Sequence, residues 1–174
     1  YDIPLGSFPP TTIDGDAELA AFISDNNFTG NGTEKSPYII IDLVFDVPGG
    51  DDALRIENVA KHLKIINCSF GNFTKYRNSF GIELYDSEYI TVEKCDFFNC
   101  SGGVYLRRSD NIRIENCEFN KIHQESVSIM DGDNDRIVNS TFEEQQFAIL
   151  VNSYMYNVNL SIENCRIDDC YRGI

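Results

Sequence analysis

The chain contains no tryptophan and, in 174 residues, only 2 methionines and 2 histidines. His62 and His123 lie far apart, neither with a nucleophile at matching spacing, so a histidine-based relay has little to work with. Paired histidines and Cys-X-X-Cys units are absent, which argues against zinc. Phosphate loops and dinucleotide fingerprints are missing, and no apolar run is long enough for a bilayer-spanning helix. Positive charge is scarce, with 14 Lys and Arg against 28 Asp and Glu, a net charge of −14 and a pI near 4.4. Such a surface repels phosphate backbones and excludes nucleic acid as an expected partner.

What the chain has instead is a repeat. Ile112-Arg113-Ile114-Glu115-Asn116-Cys117-Glu118-Phe119 has close copies beginning at Leu63, Ile90, Asp135 and Leu160. The Cys or Ser positions 68, 95, 117, 140 and 165 are spaced by 27, 22, 23 and 25 residues. A second unit precedes each copy, as in Gly81-Ile82-Glu83-Leu84 and Gly103-Val104-Tyr105-Leu106. Short alternating segments at a period in the low twenties predict a solenoid of stacked coils. Stacking places like residues about 4.8 Å apart in parallel pairing. Phe70, Phe97, Phe119, Phe142 and Ile167 then form one inward file. The strands expected in one sheet are 54–57, 82–85, 104–107, 127–130 and 149–152.

The expected organisation has three parts. Residues 1–15 form an extended, proline-stiffened arm; residues 16–52 hold a capping helix at Asp16–Ile23 and a first strand run at Tyr38–Phe45; residues 53–174 are the repeats. Asp14 or Asp16 is the expected helix cap. Gly173-Ile174 matches Gly81-Ile82, so the last coil is incomplete; the chain is expected to run on, or a partner or second copy to cover that end.

These coils resemble the right-handed parallel β-helix family, which includes pectate-lyase-like enzymes and many prokaryotic, especially archaeal, surface proteins. Gly30-Asn-Gly-Thr-Glu-Lys-Ser-Pro-Tyr-Ile-Ile41 is similar to the lead-in of such surface proteins. The resemblance implies an all-β parallel solenoid of about five coils behind a short helix. It implies no single activity, because the repeat serves lyases, hydrolases, adhesins and inert stalks alike.

Several residue sets carry functional expectations. Sequons at Asn27, Asn31, Asn67, Asn72, Asn99, Asn139 and Asn159 point to an exported, N-glycosylated chain at the cell surface. The asparagines 67, 116, 139 and 164 mark a bend, because asparagine tolerates left-handed backbone. Cys68, Cys95, Cys117 and Cys165 share one repeat position; Cys100 and Cys170 share another with Phe73, Ile122 and Gln145. The cysteines are either buried reduced ladders or disulfide-bridged. Asp131, Asp133 and Asp135 echo half of a calcium loop, though a turn uses the same residues. On the outer face Tyr85, Tyr105 and Arg107 could meet a surface polysaccharide. Asp86, Arg108 and Asp131 are either a small catalytic site or a cross-strand ion-pair ladder. The expected function is a structural or adhesive surface module, in a filament, sheath or layer. The alternative is a carbohydrate-active enzyme or polysaccharide-binding module working from one outer face.

Overall fold

The computed structural model describes residues 6–46, 52–73, 79–152 and 159–174. Residues 1–5 of the expected arm and 48–51 of the turn before the repeats lie outside the described residues. The chain opens with β1 (Thr11–Asp14), α1 (Gly15–Asp25), β2 (Tyr38–Ile41) and β3 (Val44–Asp46). Five coils of three strands follow. They are β4 (Leu54–Glu57), β5 (Leu63–Ile66) and β6 (Ser69–Gly71); β7 (Phe80–Tyr85), β8 (Ile90–Glu93) and β9 (Asp96–Phe98); and β10 (Gly102–Arg107), β11 (Arg113–Glu115) and β12 (Glu118–Asn120). The last two are β13 (Glu125–Met130), β14 (Asp135–Val138) and β15 (Thr141–Glu143), then β16 (Phe147–Asn152), β17 (Leu160–Glu163) and β18 (Arg166–Asp168).

Every third strand pairs, giving three 6-stranded sheets in the order of the coils. Sheet I runs from β1 to β16, sheet II from β2 to β17 and sheet III from β3 to β18, with all strand pairs parallel. The register is the one the repeat predicts: Ile82 pairs with Val104, Val104 with Val127 and Val127 with Ile149. The protein is therefore a parallel β-solenoid, nearly all β, with one short helix near its N-terminal end.

Inward residues stack in files. Phe45, Phe70, Phe97, Phe119 and Phe142 form a continuous column, with ring centroids 4.7–5.0 Å apart and planes within 8° of parallel. The corners are fixed by left-handed backbone. Asn67, Lys94, Asn116, Asn139 and Asn164 turn the chain from sheet II to sheet III at φ between 50° and 55°. Asn72, Asn99, Lys121, Glu144 and Asp169 do so after sheet III, at φ between 49° and 63°. Short polar side chains tolerate this conformation best, which explains the asparagine periodicity.

Three boundaries differ from the sequence reading. Thr11–Asp14, assigned to an extended arm, is the first strand of sheet I and pairs with β4. The run Tyr38–Phe45 is two strands, because Asp42 at φ 60° makes the same corner that Asn67 makes one coil later, and the Asn67 amide donates to its carboxylate (2.7 Å). The helix starts after Asp14, yet the carboxylates of Asp14 and Asp16 do not cap it: they accept from the Asn58 amide (2.7 Å) and the Ala60 N–H (2.9 Å) of the next coil. Leu19 and Ile23 of α1 are buried in the core, and Phe8 packs edge-on against Phe45 at 5.5 Å, so helix and arm both cover the N-terminal end. At the other end Val151, Ile162, Cys165 and Ile167 are only partly buried, and Tyr171 and Ile174 are 78% and 77% exposed.

Among the described residues two inward files carry a polar side chain with an atom left unpartnered, where the other coils carry apolar ones or cysteine. Leu63, Ile90, Ile112 and Leu160 share a file with Asp135, which is 1% exposed. Its Oδ1 accepts the Ile112 N–H (2.9 Å), while Oδ2 has no hydrogen-bond partner. Room for this carboxyl comes from Gly132, where a Cβ would stand 2.5 Å from Oδ2; the two preceding coils have Ser87 and Ser109 there. Burial pushes the Asp135 carboxyl up to about 7; the Ile112 N–H opposes the rise, and the charges of Asp110 and Asp133 add to it. The second such residue is Gln145.

Candidate functional site

Alternation in sheet I sends two rows of side chains outward. Arg55, Glu83, Tyr105 and Ser128 form one row across successive strands; Glu57, Tyr85, Arg107 and Met130 form the other. The face thus grades from charged near the N-terminal end, through aromatic and cationic, to weakly polar. The corner just beyond holds Asp86, Arg108 and Asp131, all left-handed at φ 48°, 48° and 57°.

The structure brings Asp86 and Arg108 together. Arg108 donates from Nε and Nη2 to both carboxylate oxygens of Asp86 (2.7 and 2.6 Å), and Nη2 also donates to the Tyr85 hydroxyl. The guanidinium carbons of Arg107 and Arg108 lie 5.1 and 4.6 Å from the Tyr85 ring centre. The Arg108 hydrogen bonds hold the Asp86 carboxyl below its ordinary value. Asp86 is therefore an ionised, engaged carboxylate, unsuited to donate a proton. The ion-pair reading fits this pair better than the catalytic one. Asp131 occupies the same corner one coil on, its N–H donating to the Asn152 carbonyl (3.2 Å). Tyr105 stacks on Phe80 at 4.9 Å and donates to Met130 Sδ (3.5 Å); burial raises its hydroxyl.

A cluster that the sequence reading left aside sits beside these residues. Asp52, Arg55, Glu57 and Glu83 converge at the charged end of the face. Arg55 reaches Glu57 through Nε, Glu83 through Nη1 (3.2 Å) and Asp52 at 3.9 Å. Asp52 accepts the Phe80 N–H (2.7 Å) and is hydrogen-bonded to Glu83. Burial first, then that hydrogen bond and the Asp52 charge, push the Glu83 carboxyl up to about 7, against the pull of Arg55. A carboxyl that keeps its proton near neutrality is what a proton donor needs. Hydrogen-bonded carboxyls are, however, closer than the about 5–5.5 Å that double-displacement glycoside hydrolysis uses. The cluster is equipped to hold a polar ligand or move a proton, and less suited to cleaving a glycosidic bond by that route.

The other expected residues separate. Asp135 points into the core, while Asp133 accepts the Asn159 N–H (3.2 Å) and Asp110 accepts the Asp133 N–H (2.9 Å). Among the described residues no three acidic, cysteine or histidine side chains converge to hold a metal ion, so the three aspartates do not build the calcium loop they echo. The six cysteines are free thiols; Cys68, Cys95, Cys100 and Cys117 are buried, Cys165 and Cys170 half-buried. The neighbouring Cys95 thiol and burial raise Cys68, the Cys117 thiol raises Cys95, and burial raises Cys100, all away from thiolate reactivity. All seven sequon asparagines are exposed. The Thr33 hydroxyl donates to Asn31 Oδ1 (2.8 Å) within one sequon, whereas the amide nitrogens of Asn67, Asn99 and Asn159 donate to Asp42, Asn72 and Asn134. Among the described residues no helix is long and apolar enough to cross a membrane.

The family model described as the right handed beta helix region matches residues 13–174. Among solved structures, a candidate glycosyl hydrolase from Parabacteroides merdae is similar with a TM-score of 0.45 at 9% identity, covering 75% of this chain and 78% of its own. No curated protein matches the chain.

Proposed function

The chain belongs to the right-handed β-helix family, and from that premise we propose that it is a structural module of an exported, N-glycosylated surface protein. In this reading its work is mechanical. The hydrogen-bonded stack is a stiff rod, and its corners present glycans. The observation that carries the reading is the exposure of every sequon asparagine, Asn27, Asn67, Asn72, Asn99 and Asn139 among them in left-handed backbone. Ion pairs between coils, such as Arg108 with Asp86 and Arg55 with Glu83, support the same role by tying neighbouring turns together. Intact mass of the protein from its native source, before and after deglycosylation, tests it. Glycan is expected at Asn27, Asn31, Asn72 and Asn139, whose amide nitrogens donate in none of the bonds above. Seven bare asparagines would overturn the reading. Assembly into a filament, sheath or layer is part of the proposal, and electron microscopy showing only dispersed monomers would count against it.

A second reading is favoured by one observation, the Asp52–Glu83 pair beside Tyr85 and Tyr105. On it, the face of sheet I binds or processes a surface polysaccharide. A screen of neutral and acidic polysaccharides, repeated with Glu83→Gln, tests this. Turnover that vanishes in the variant would establish an enzyme; silence across the screen would retire it.

A further inference from the structure

Asp52 and Glu83 stand on neighbouring coils with their side chains largely enclosed, 14% and 12% exposed. Both reach Nη1 of Arg55, at 3.9 and 3.2 Å, and the two carboxyls are hydrogen-bonded to each other. On the strands that flank Glu83 the outward ionisable groups are Arg55 and Glu57, with Asp52 just before them, and Tyr105 and Arg107. Arg55 also commits its Nε to Glu57, so three carboxyls share one guanidinium, while Arg107 lies over the Tyr85 ring. One carboxyl bonds to another only while a proton sits on one of them; two charged carboxylates at that distance repel. The contact between the coils is therefore conditional on a proton.

What depends on this contact is the start of β7. Asp52 Oδ1 accepts the Phe80 N–H (2.7 Å). The Phe80 ring is buried over Gly102, where a Cβ would stand 2.3 Å from it, and is stacked on the outward Tyr105. Moving Asp52 away from Glu83 leaves the Phe80 N–H without its acceptor and disturbs a ring that Tyr105 leans on. Burial and the Asp52 contact hold the Glu83 proton up to about 7, against an ordinary 4.5. The contact is thus intact on the acid side of about 7 and lost as pH rises through it; the stability it contributes is fully present below 4.5.

We propose that the Asp52–Glu83 pair is a proton-operated latch: closed, it pins the first repeat coil to the second and Phe80 to the face of sheet I; open, it frees both. The latch rests on neither functional reading, since it is read from an amide and not from a ligand or a glycan. It is tested in the Asp135→Asn protein, so that the other carboxyl raised to about 7 does not titrate. Hydrogen exchange gives the protection of the Phe80 amide relative to an unfolded chain. That protection should fall by about tenfold or more between pH 5.5 and 8.5, while the Glu118 amide, bonded to the Cys95 carbonyl, changes by less than about threefold. Tyr105 ring resonances should move with the same midpoint, although the Tyr105 hydroxyl itself is raised above its ordinary value of 10. Glu83→Gln, which keeps a donor for Asp52 at every pH, should leave Phe80 protected throughout. Asp52→Asn should lower the Glu83 midpoint read by carbon-13 NMR. Phe80 protection that is flat with pH, or a pH dependence that survives in Glu83→Gln, overturns the proposal. So does a Glu83 midpoint below about 5. Should a variant fail to fold, the Glu83 midpoint and Phe80 protection in the wild-type protein decide the matter.

Discussion

Replacing Asp135 by asparagine should stabilise the protein at alkaline pH and do little at acid pH. The reason is geometric. Asp135 sits in a file of leucine and isoleucine, fully enclosed, with one oxygen bonded to the Ile112 N–H and the other unpartnered. Its neighbours Asp110 and Asp133 are acidic, so no positive charge offsets ionisation. In the folded state the carboxyl holds its proton up to about 7, whereas the ordinary aspartate value is 3.8. Folding therefore takes up a proton between these values, and stability falls as pH rises through that window. The gap of about 3 pH units corresponds to about 4 kcal/mol at about 1.4 kcal/mol per unit, fully present below the lower value and lost above the upper one. Asparagine keeps the acceptor for Ile112 and cannot ionise. Urea unfolding of both proteins should show the advantage of the variant growing by about 2.5 kcal/mol between pH 5 and 8.5. Carbon-13 titration of the wild-type carboxyl should place its midpoint near neutrality. A stability difference that is flat with pH, or a midpoint near 4, would refute the argument.

Other expectations concern the stack itself. Phe119→Ala opens the aromatic column between Phe97 and Phe142, whose rings flank it at 4.7 and 4.9 Å. A loss of about 3–5 kcal/mol is expected in chemical denaturation, a large share of the stability of an ordinary domain. Gly103→Ala would place a Cβ 2.2 Å from the Ser126 carbonyl oxygen and 2.8 Å from the Phe119 ring. Backbone of the next coil cannot yield as a side chain would, so a cost of about 3 kcal/mol or more, or failure to fold, is expected by circular dichroism. Lys94→Asn completes the corner file of asparagines at a position with φ 53°. It exchanges an exposed pair with Glu93, worth little, for a residue better suited to left-handed backbone, and should raise stability by about 0.5–1 kcal/mol.

Much of this architecture can be read before any coordinates, because a solenoid writes its third dimension along the chain. Residues that touch across coils are separated by one period, so Phe97 above Phe119, or Val104 beside Val127, is visible as a spacing. The corners are legible for the same reason: asparagine recurs where left-handed backbone recurs. Where the period stretches, the reading weakens. Arg55 and Glu83 are 28 residues apart, against 22 for Glu83 and Tyr105, so the pairing that creates the Asp52–Glu83 cluster is hidden by the longer turn between them. The run Tyr38–Phe45 conceals its corner because an apolar stretch overwhelms the single Asp42. The aspartates at 131, 133 and 135 look alike as letters and differ as soon as alternation is applied, since only the third falls in an inward file.

That last contrast shows where function is best sought in such a fold. Outward charges are plentiful, and the corner pair Asp86–Arg108 closes on itself, so an acidic or basic residue on the surface carries little information. An inward file is different, because every neighbour sets an apolar expectation and a polar residue in it costs stability. Asp135 and Gln145 both break such files, and each leaves one polar atom without a partner. They diverge in their surroundings. Asp135 is closed in by Gly132 and the core, so it can relieve its isolation only by keeping a proton. Gln145 cannot ionise and has its Oε1 on the Ser126 hydroxyl, so its isolation costs the same at every pH. The first exception is thus a matter of stability against pH and the second a matter of stability alone. Gln145→Leu and Asp135→Asn separate the two in urea unfolding: the change in stability of the leucine variant should be flat with pH, whereas the advantage of the asparagine variant should grow as pH rises.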